Sequence, residues 1–547
     1  MNDPEKRGAG DLVTSAHSGA GKAGKKSDDE TVNGVVVKTL EAVEEPELDS
    51  RIAANGQPAP APATKLEEGH SHGRKKTSEG SEHDANAPIY VDFEEGDPRN
   101  PVNFSYPKKW KITILSCFAT MIAAYNAGGY NVGFASMTRD LNATTFQATI
   151  GLSLYALGFG LFPMVTASFS EEVGRLPIYV ISAFGVLSMY IMVALAPNIQ
   201  TVLVARFLQG GFGSTWATNV GGTLADIWMP HERGLPMSIF AFAALGGTGV
   251  GPLLGGWVEH NPKLQWKWIE WIEMMICAIY PILVPFMLRE TRSSIIITRI
   301  ARRIRKETGD ARYRARIEDE RASLATLIYI SCTRPIHLLL TEPVITSFSL
   351  WIGFAWGVLY CMIESISLIF STTYGFNIGQ TGSIFSTMII GSLFGMVTNI
   401  LQERLYKKYH PTRGPEARLY FACVAAIAFP AGMFIYAWTS FPHVPWIAPA
   451  IGITFFIWAT FVIYLAVFTY LADCYGPFAS SALAGQSLCR NLAGTAFPLF
   501  TRQMFDRLSY KWANTLFGCI AVLMMPIPFK EEQVFGYGDG FEEVKKK

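Results

Sequence analysis

LYFACVAAIAFPAGMFIYAWTSFPHVPWIAPAIGITFFIWATFVIYLAVFTYLA, residues 419–472, runs for 54 residues without one Asp, Glu, Lys or Arg. A hydrocarbon core about 30 Å thick takes about 20 helical residues to cross, so this stretch is too long for one membrane span and must fold back once. The cluster Pro442-His443-Val444-Pro445 near its middle is where it turns. Two antiparallel membrane helices are predicted here, and the same reading extends outward. Residues 112–132, 148–169, 235–258 and 512–529 are uncharged single spans. Residues 176–205 hold span three, a turn at Pro197-Asn198 and the start of span four, which continues to about 225. Residues 365–401 hold the end of span seven and all of span eight. Spans six (about 268–288) and eleven (about 479–505) bring the count to twelve.

The composition agrees. Of 547 residues, 50% are apolar, 13% aromatic and only 17% charged, too oily a mixture for a soluble chain of this length. The charges are also segregated. Residues 1–88 carry 27 of the 91 and have no Phe, Trp, Tyr or Cys, and residues 289–342 carry 19, which leaves 45 for the other 405 residues. A net charge of +1 excludes nucleic acid as the main partner, because nothing overall draws the chain to phosphate. The eight cysteines are scattered through apolar runs without a CxxC pair or a His at zinc spacing, so neither a disulfide framework nor a metal site is expected, and no cofactor. The five His beyond the tail form no cluster and no GxxxxGK[ST] loop occurs, which argues against an enzyme and against ATP as the energy source.

Residues 1–88 read as a disordered N-terminal tail, with too little apolar area to offset the entropy of ordering. Its polar start is not a signal peptide, so the N-terminus is expected in the cytoplasm. His70 and His72 in the tail are a weak metal signal, and a phosphorylated regulatory tail is the alternative use. The expected division is then a bundle over 89–288, a linker over 289–342, a second bundle over 343–530 and a C-terminal tail over 531–547. The linker holds twelve Lys and Arg, and the loop over 402–418 adds Arg404, Lys407, Lys408, Arg413 and Arg418. Positive charge marks the cytoplasmic side, so both termini and the linker face the cytoplasm. The sequon Asn142-Ala143-Thr144 falls in the first outside loop as a glycosylation candidate. Residues 300–321 read as an amphipathic surface helix.

A charge inside a span costs about 2.5 kcal/mol or more on insertion scales and asks for a reason. Arg206 lies in span four, followed by Gln209 and glycines; it either pairs with a carboxylate or proton relay, or snorkels outward. Glu364 sits late in span seven, one helical face on from Trp356 and Tyr360. It is either a desolvated carboxyl that takes up and releases protons or a rim residue that meets water. Arg490, mid-span eleven, reads as a structural charge bonded to backbone carbonyls. Glu270 and Glu273 begin span six and read as outer-surface residues. In span five Gly247, Gly251 and Gly255 make a smooth stripe for a neighbouring helix, and Pro252 bends it. The loop Ser170-Glu171-Glu172-Val173-Gly174-Arg175, with Asp226 and Glu232-Arg233, can form a charge latch that holds one conformation closed.

These residues carry a resemblance. Leu203 to Gly211 resembles the RxxQG motif, Gly247 to Gly256 the antiporter motif GxxxGPxxGG, and Ala167 to Arg175 the loop form APLSExxGR of the fungal twelve-spanning drug:proton antiporter family of the major facilitator superfamily. Trp266-Lys267-Trp268, Glu290-Thr291, Arg334-Pro335, Arg490-Asn491 and Phe497-Pro498-Leu499-Phe500 resemble further fungal signatures, over about residues 90–530. Ser168 and Glu172 depart from the loop form, and Glu270 and Glu273 stand where the family's WRWxFW pattern is apolar.

The resemblance implies an all-α membrane protein of the major facilitator fold, with two six-helix bundles facing each other across a cavity. Spans one, four, seven and ten would bring Tyr125, Asn126, Arg206, Gln209, Trp356, Tyr360, Glu364 and Tyr464 toward substrate. The implied activity is export of small amphiphilic organic molecules (drug, toxin, polyamine or secreted metabolite) in exchange for protons, with Arg206 and Glu364 in the coupling. Gly247, Gly251, Pro252, Gly255 and Gly256 would be the antiporter motif, and Ser170, Glu171, Gly174, Arg175 and Asp226 the cytoplasmic gate. The expected partners are a small molecule, protons and the lipid bilayer, the expected state a monomer, and the expected site the plasma membrane or, alternatively, the vacuolar membrane. A facilitator or importer of the same fold, or a non-transporting nutrient sensor, remains the alternative.

Overall fold

Backbone amides and carbonyls in hydrocarbon find no water, so a chain this apolar satisfies them within helices. The computed structural model, which describes residues 31–32, 35–38, 88–229, 231–319 and 323–529, is helical almost throughout. The first bundle begins with α1 (Tyr106–Gly129), which passes through a 3-10 turn (Tyr130–Gly133) into α2 (Phe134–Asp140). It continues with α3 (Thr145–Glu172), α4 (Arg175–Ala194), α5 (Ile199–Ile227), α6 (Gly234–His260) and α7 (Gln265–Met287). The linker carries α8 (Ser293–Thr308), α9 (Arg316–Asp319) and α10 (Leu324–Thr341). The second bundle holds α11 (Pro343–Thr372), α12 (Ile378–Ile384), α13 (Ser386–Arg413), α14 (Tyr420–Thr439), α15 (Ile447–Tyr475) and α16 (Ala479–Met524).

Among the described residues, 10 helical stretches are long and apolar enough to cross a membrane. Helix α5 is more polar, yet it packs against α1, α3 and α4 inside the first bundle. Helix α16 breaks at Ser509, whose φ of 62° is left-handed, and so supplies two spans. Twelve membrane helices in two bundles result. The predicted turns are present: α14 ends at Thr439 and α15 resumes at Ile447 across the Pro442 cluster, and Asn198 caps α5 by accepting from the Thr201 amide at 2.9 Å.

The bundles meet along two seams, α3 against α16 and α6 against α12 and α13. The span-five stripe makes a close approach inside the first bundle, where α6 lies against α1. A Cβ on Gly251 would collide with the Tyr125 carbonyl and the Gly129 amide, so only glycine permits this contact. Pro252 and Gly256, on the adjoining face, meet Gly382 of α12 across the seam. One helix thus packs smoothly on both sides.

The linker differs from expectation in two respects. The amphipathic helix is α8, Ser293–Thr308, and it stops at Gly309, whose φ of 71° is a left-handed cap; the predicted 300–321 stretch runs past that stop. Its apolar face is also claimed by a small satellite core of Val91, Ala301, Ile304 and Ala315. Val91 lies on a strand, so a small sheet stands beside the helices. Strands β1 (Thr31–Val32) and β2 (Val35–Lys38) are antiparallel, β2 pairs with β3 (Ile89–Asp92), and β3 runs parallel to β4 (Tyr313–Arg314). The strand before α1 is therefore fastened to the linker, while the turn that follows it packs on α5 of the bundle. The rest of the predicted N-terminal tail, with His70 and His72, and the C-terminal tail lie outside the described residues.

Candidate functional site

Arg206 sits in the first third of α5 with no exposed surface. One guanidinium nitrogen donates to Asn126 Oδ1 and, at 3.0 Å, to Gln209 Oε1; the other donates to the Asn126 carbonyl at 3.4 Å. The rings of Tyr130 and Tyr155 lie 4.1 and 4.5 Å from the guanidinium carbon, a cation–π arrangement from two sides. Tyr155 is itself held by donating to the Ala123 carbonyl at 2.7 Å. The outward-snorkelling alternative for Arg206 is thereby removed. Of the residues expected to line a central cavity, Asn126 and Gln209 are instead partners of this arginine, and Tyr125 is buried nearby on α1.

Glu270 and Glu273 overturn the surface expectation. They are 4% and 2% exposed, and Glu273 Oε1 lies close against Gly129 of α1. The composite of α1, the 3-10 turn and α2 roofs the start of α7: the Trp266 amide donates to Ser136 Oγ at 3.2 Å and its indole to Asp140 at 3.1 Å. Both carboxylates lie within the electrostatic reach of Arg206. Glu270 faces Tyr130, and Glu273 faces Tyr190 on α4, Tyr125 on α1 and Cys277 on its own helix. The signal that finds them is spacing, since the buried positions of α7 are Trp266, Ile269, Glu270, Glu273, Cys277, Tyr280 and Val284, one helical stripe.

The second bundle holds a matching cluster. Arg490 on α16 is 8% exposed, and its guanidinium lies 4.4 Å from the Trp356 ring and 5.0 Å from the Tyr464 ring. Those rings pack at 5.5 Å. Among the described residues no backbone carbonyl accepts from Arg490, contrary to the expected carbonyl partners: its hydrogen bond goes to Ser487 Oγ at 3.5 Å, because its side chain is turned onto the aromatic face of α11 and α15. Tyr360, one turn beyond Trp356, is buried between the clusters and lies within the electrostatic reach of both Arg490 and Arg206.

Glu364 follows Tyr360 by one turn. It is 9% exposed and one of its carboxyl oxygens has no partner. It packs near Thr149 of α3, and beside it Asn131 Nδ2 donates to the Ile363 carbonyl at 2.9 Å. Glu364 thus sits where the two bundles meet, at the end away from the linker. Asn142, at the same end, is exposed with a left-handed φ of 49°, and Thr144 of its sequon caps α3 by accepting from the Gln147 amide at 3.2 Å.

At the linker end the predicted loop is tied together. Arg175 pairs with Asp226 at 3.3 Å and donates to Ser170 Oγ at 2.8 Å. Arg292 reaches Asp226 at 3.6 Å and Glu171 at 4.0 Å. The centre of the network is a residue that spacing did not single out. The Glu290 carboxylate accepts from the amides of Arg175 at 2.9 Å, Leu176 at 3.3 Å, Thr291 at 3.1 Å and Arg292 at 3.0 Å, which caps α4 with a negative charge. Gly174, with φ of 107°, gives way to that carboxylate, since a Cβ there would strike it. The start of the linker is thereby clamped to the loop between α3 and α4.

Comparison with known proteins agrees with this architecture. The family description Major Facilitator Superfamily matches residues 116–498. The chain is 34% identical over 448 residues to the MFS-type efflux pump MFS2 of Trichophyton rubrum, covering 81% of this chain and 75% of that protein. It is also 34% identical over 453 residues to the multidrug transporter FLU1 of Candida albicans, covering 81% and 74%. Among solved structures, the xylose transporter XylE from E. coli superposes with a TM-score of 0.55 at 15% identity, over 78% of this chain and 99% of that one.

Proposed function

The chain belongs to the Major Facilitator Superfamily, and from that premise we propose that it exports small amphiphilic organic molecules by alternating access in exchange for protons. It is a multi-pass membrane transporter with fungal efflux pumps among its relatives. The observation that carries the proton half of the proposal is the burial of Arg206 with Glu270 and Glu273 in one bundle.

An arginine keeps its charge, whereas a carboxylate can lose its own. With both carboxyls ionised the cluster carries a net negative charge, and one proton makes it neutral. A change of one charge in a desolvated interior weighs several kcal/mol, enough to exchange the stability of two conformations. Tyr125, Tyr130, Tyr155, Tyr190, Cys277 and, from the other bundle, Tyr360 are titratable groups around it, and at neutral pH they stay uncharged. Glu364, at the seam between bundles, is the second candidate carrier, suited to feel the bundles part. The Arg175, Asp226 and Glu290 network acts as the gate at the linker end, which faces the cytoplasm by the density of Lys and Arg there. The plasma membrane is the proposed site, and the monomer the working unit.

The test is transport in proteoliposomes with an imposed pH gradient. Substrate efflux driven by an inward proton gradient, with stoichiometric proton uptake, is the expected result. Transport unaffected by any pH gradient removes the antiport reading and leaves a facilitator.

A further inference from the structure

Arg490 is a buried cation whose counter-charge is missing. Among the described residues no carboxylate lies within ion-pairing distance of it, and its Nε is buried without a hydrogen-bond partner. Within the second bundle Glu403 and Asp473 hold Arg418 at 2.6 and 3.0 Å, and the cationic neighbour of Glu364 is Arg502. Two aromatic rings and one weak hydrogen bond to Ser487 do not replace the water that this guanidinium gave up. Arg206 supplies the contrast: its Nε is likewise without a partner, but its other two nitrogens meet Asn126 and Gln209, and two acids lie within its electrostatic reach.

The position is central as well as unpaired. Tyr360 feels Arg490 from its own bundle and Arg206 from the other, and Tyr155 of the first bundle lies within reach of Tyr360. The residue after Arg490, Asn491, touches Gly160 of α3 across the seam. We infer that Arg490, Trp356, Tyr360 and Tyr464 form an organic-anion subsite, in which the guanidinium receives a carboxylate, sulfonate or phosphate of the transported molecule and the rings receive its apolar body. A guanidinium offers paired N–H donors that match such a group, and flat rings beside it suit an aromatic or amphiphilic skeleton. The same arrangement disfavours cationic substrates such as polyamines, since the ring faces that would attract a cation already hold one.

The inference takes the substrate class of the export reading one step further and rests on it only for the direction of transport, so binding is measured without any gradient. The full chain, purified in detergent, is titrated by calorimetry with 2-naphthoate, with its uncharged methyl ester and with 2-naphthylmethylamine. Naphthoate is expected to bind about tenfold or more tightly than the ester, and the amine most weakly. In Arg490→Gln naphthoate should fall to the level of the ester, while Arg490→Lys retains part of the preference. Should the glutamine variant fail to fold, the three-ligand ranking of the wild type decides alone. Equal affinity for acid and ester, a preference for the amine, an unaltered preference in Arg490→Gln or no binding of any of the three overturns the subsite. A transporter that binds naphthoate as expected but ignores pH gradients keeps the subsite and loses the antiport reading.

Discussion

Each bundle buries one arginine between two aromatic rings, and the two are supplied differently. Arg206 lies over Tyr130 and Tyr155 and Arg490 over Trp356 and Tyr464, at closely similar distances. Around the first, amide oxygens and two buried carboxylates supply counter-charge from within the chain; around the second, they are absent among the described residues. The lesson is that the same cation–π frame serves two ends. Where the protein supplies its own acids, the variable is a proton; where it does not, the variable is a ligand. A fixed cation beside fixed anions has nothing to exchange except H⁺.

That contrast breaks most visibly if Arg206 is removed. Arg206→Leu leaves Glu270 and Glu273 buried together without their cation, and they relax by staying protonated. Transport driven by a pH gradient in proteoliposomes should fall by about 100-fold or more, an amount of transition-state or state-preference energy typical for a lost buried partner. Exchange of substrate across a membrane without any gradient should fall far less. Equal losses in both assays would make Arg206 a packing residue.

Glu273→Gln is a gentler cut through the same cluster, because the amide keeps the shape and removes only the titration. Gradient-driven export should drop by about tenfold to 100-fold while gradient-free exchange persists, and proton uptake per substrate should fall. Glu364→Gln, measured beside it, tells the two candidate carriers apart: whichever variant uncouples transport from pH identifies the carrier.

The comparison can also be sharpened by making the second arginine resemble the first. Ser487 is the hydrogen-bond partner of Arg490 among the described residues and is half-buried, so Ser487→Asp installs a carboxylate within reach of the guanidinium. The naphthoate preference over its ester should shrink by about tenfold, and the amine should gain. An unchanged ranking would mean that the anion, if bound, is bound elsewhere.

Much of this architecture was legible in residue order, for a physical reason. Hydrocarbon accepts so few alternatives to a helix that runs such as residues 419–472 leave little to decide, and the proline cluster at Pro442 could only be the turn. The glycine stripe at Gly247, Gly251 and Gly255 was equally plain, because close approach has one chemical solution. Glu270 and Glu273 were misjudged because charge near the end of an apolar run normally marks the water boundary. Here α2 and its preceding 3-10 turn roof the boundary over, and only the helical stripe of α7 records it. Glu290 stands in the sequence only as part of a family signature, without a role, because its partners include backbone amides of a loop more than 100 residues away, and amides carry no residue-type signature. Arg490 meets aromatic rings in place of the expected carbonyls, since which face of α16 turns toward Trp356 is set by packing within the second bundle.

The smallest effect is expected where the same ion-pair chemistry meets water. Arg305 of α8 grips Glu318 of α9 through two parallel hydrogen bonds of 2.8 and 3.0 Å, a better geometry than either membrane arginine enjoys. Those bonds hold the Glu318 carboxyl below the usual carboxylate range. The stability they contribute is therefore full above the ordinary glutamate range, about pH 4.3, and is lost as acid protonates the folded form. Both side chains are partly solvated, so Glu318→Gln should cost no more than about 1 kcal/mol at neutral pH. Hydrogen exchange of the α8 and α9 amides should show that difference at pH 7 and show it vanishing toward pH 3. Burial, more than geometry, sets the worth of a charge in this molecule if the linker pair proves weak and Arg206 proves indispensable. A linker variant as damaging as Arg206→Leu would reverse that order, and with it the argument that the unpaired interior arginine is the one left for a ligand.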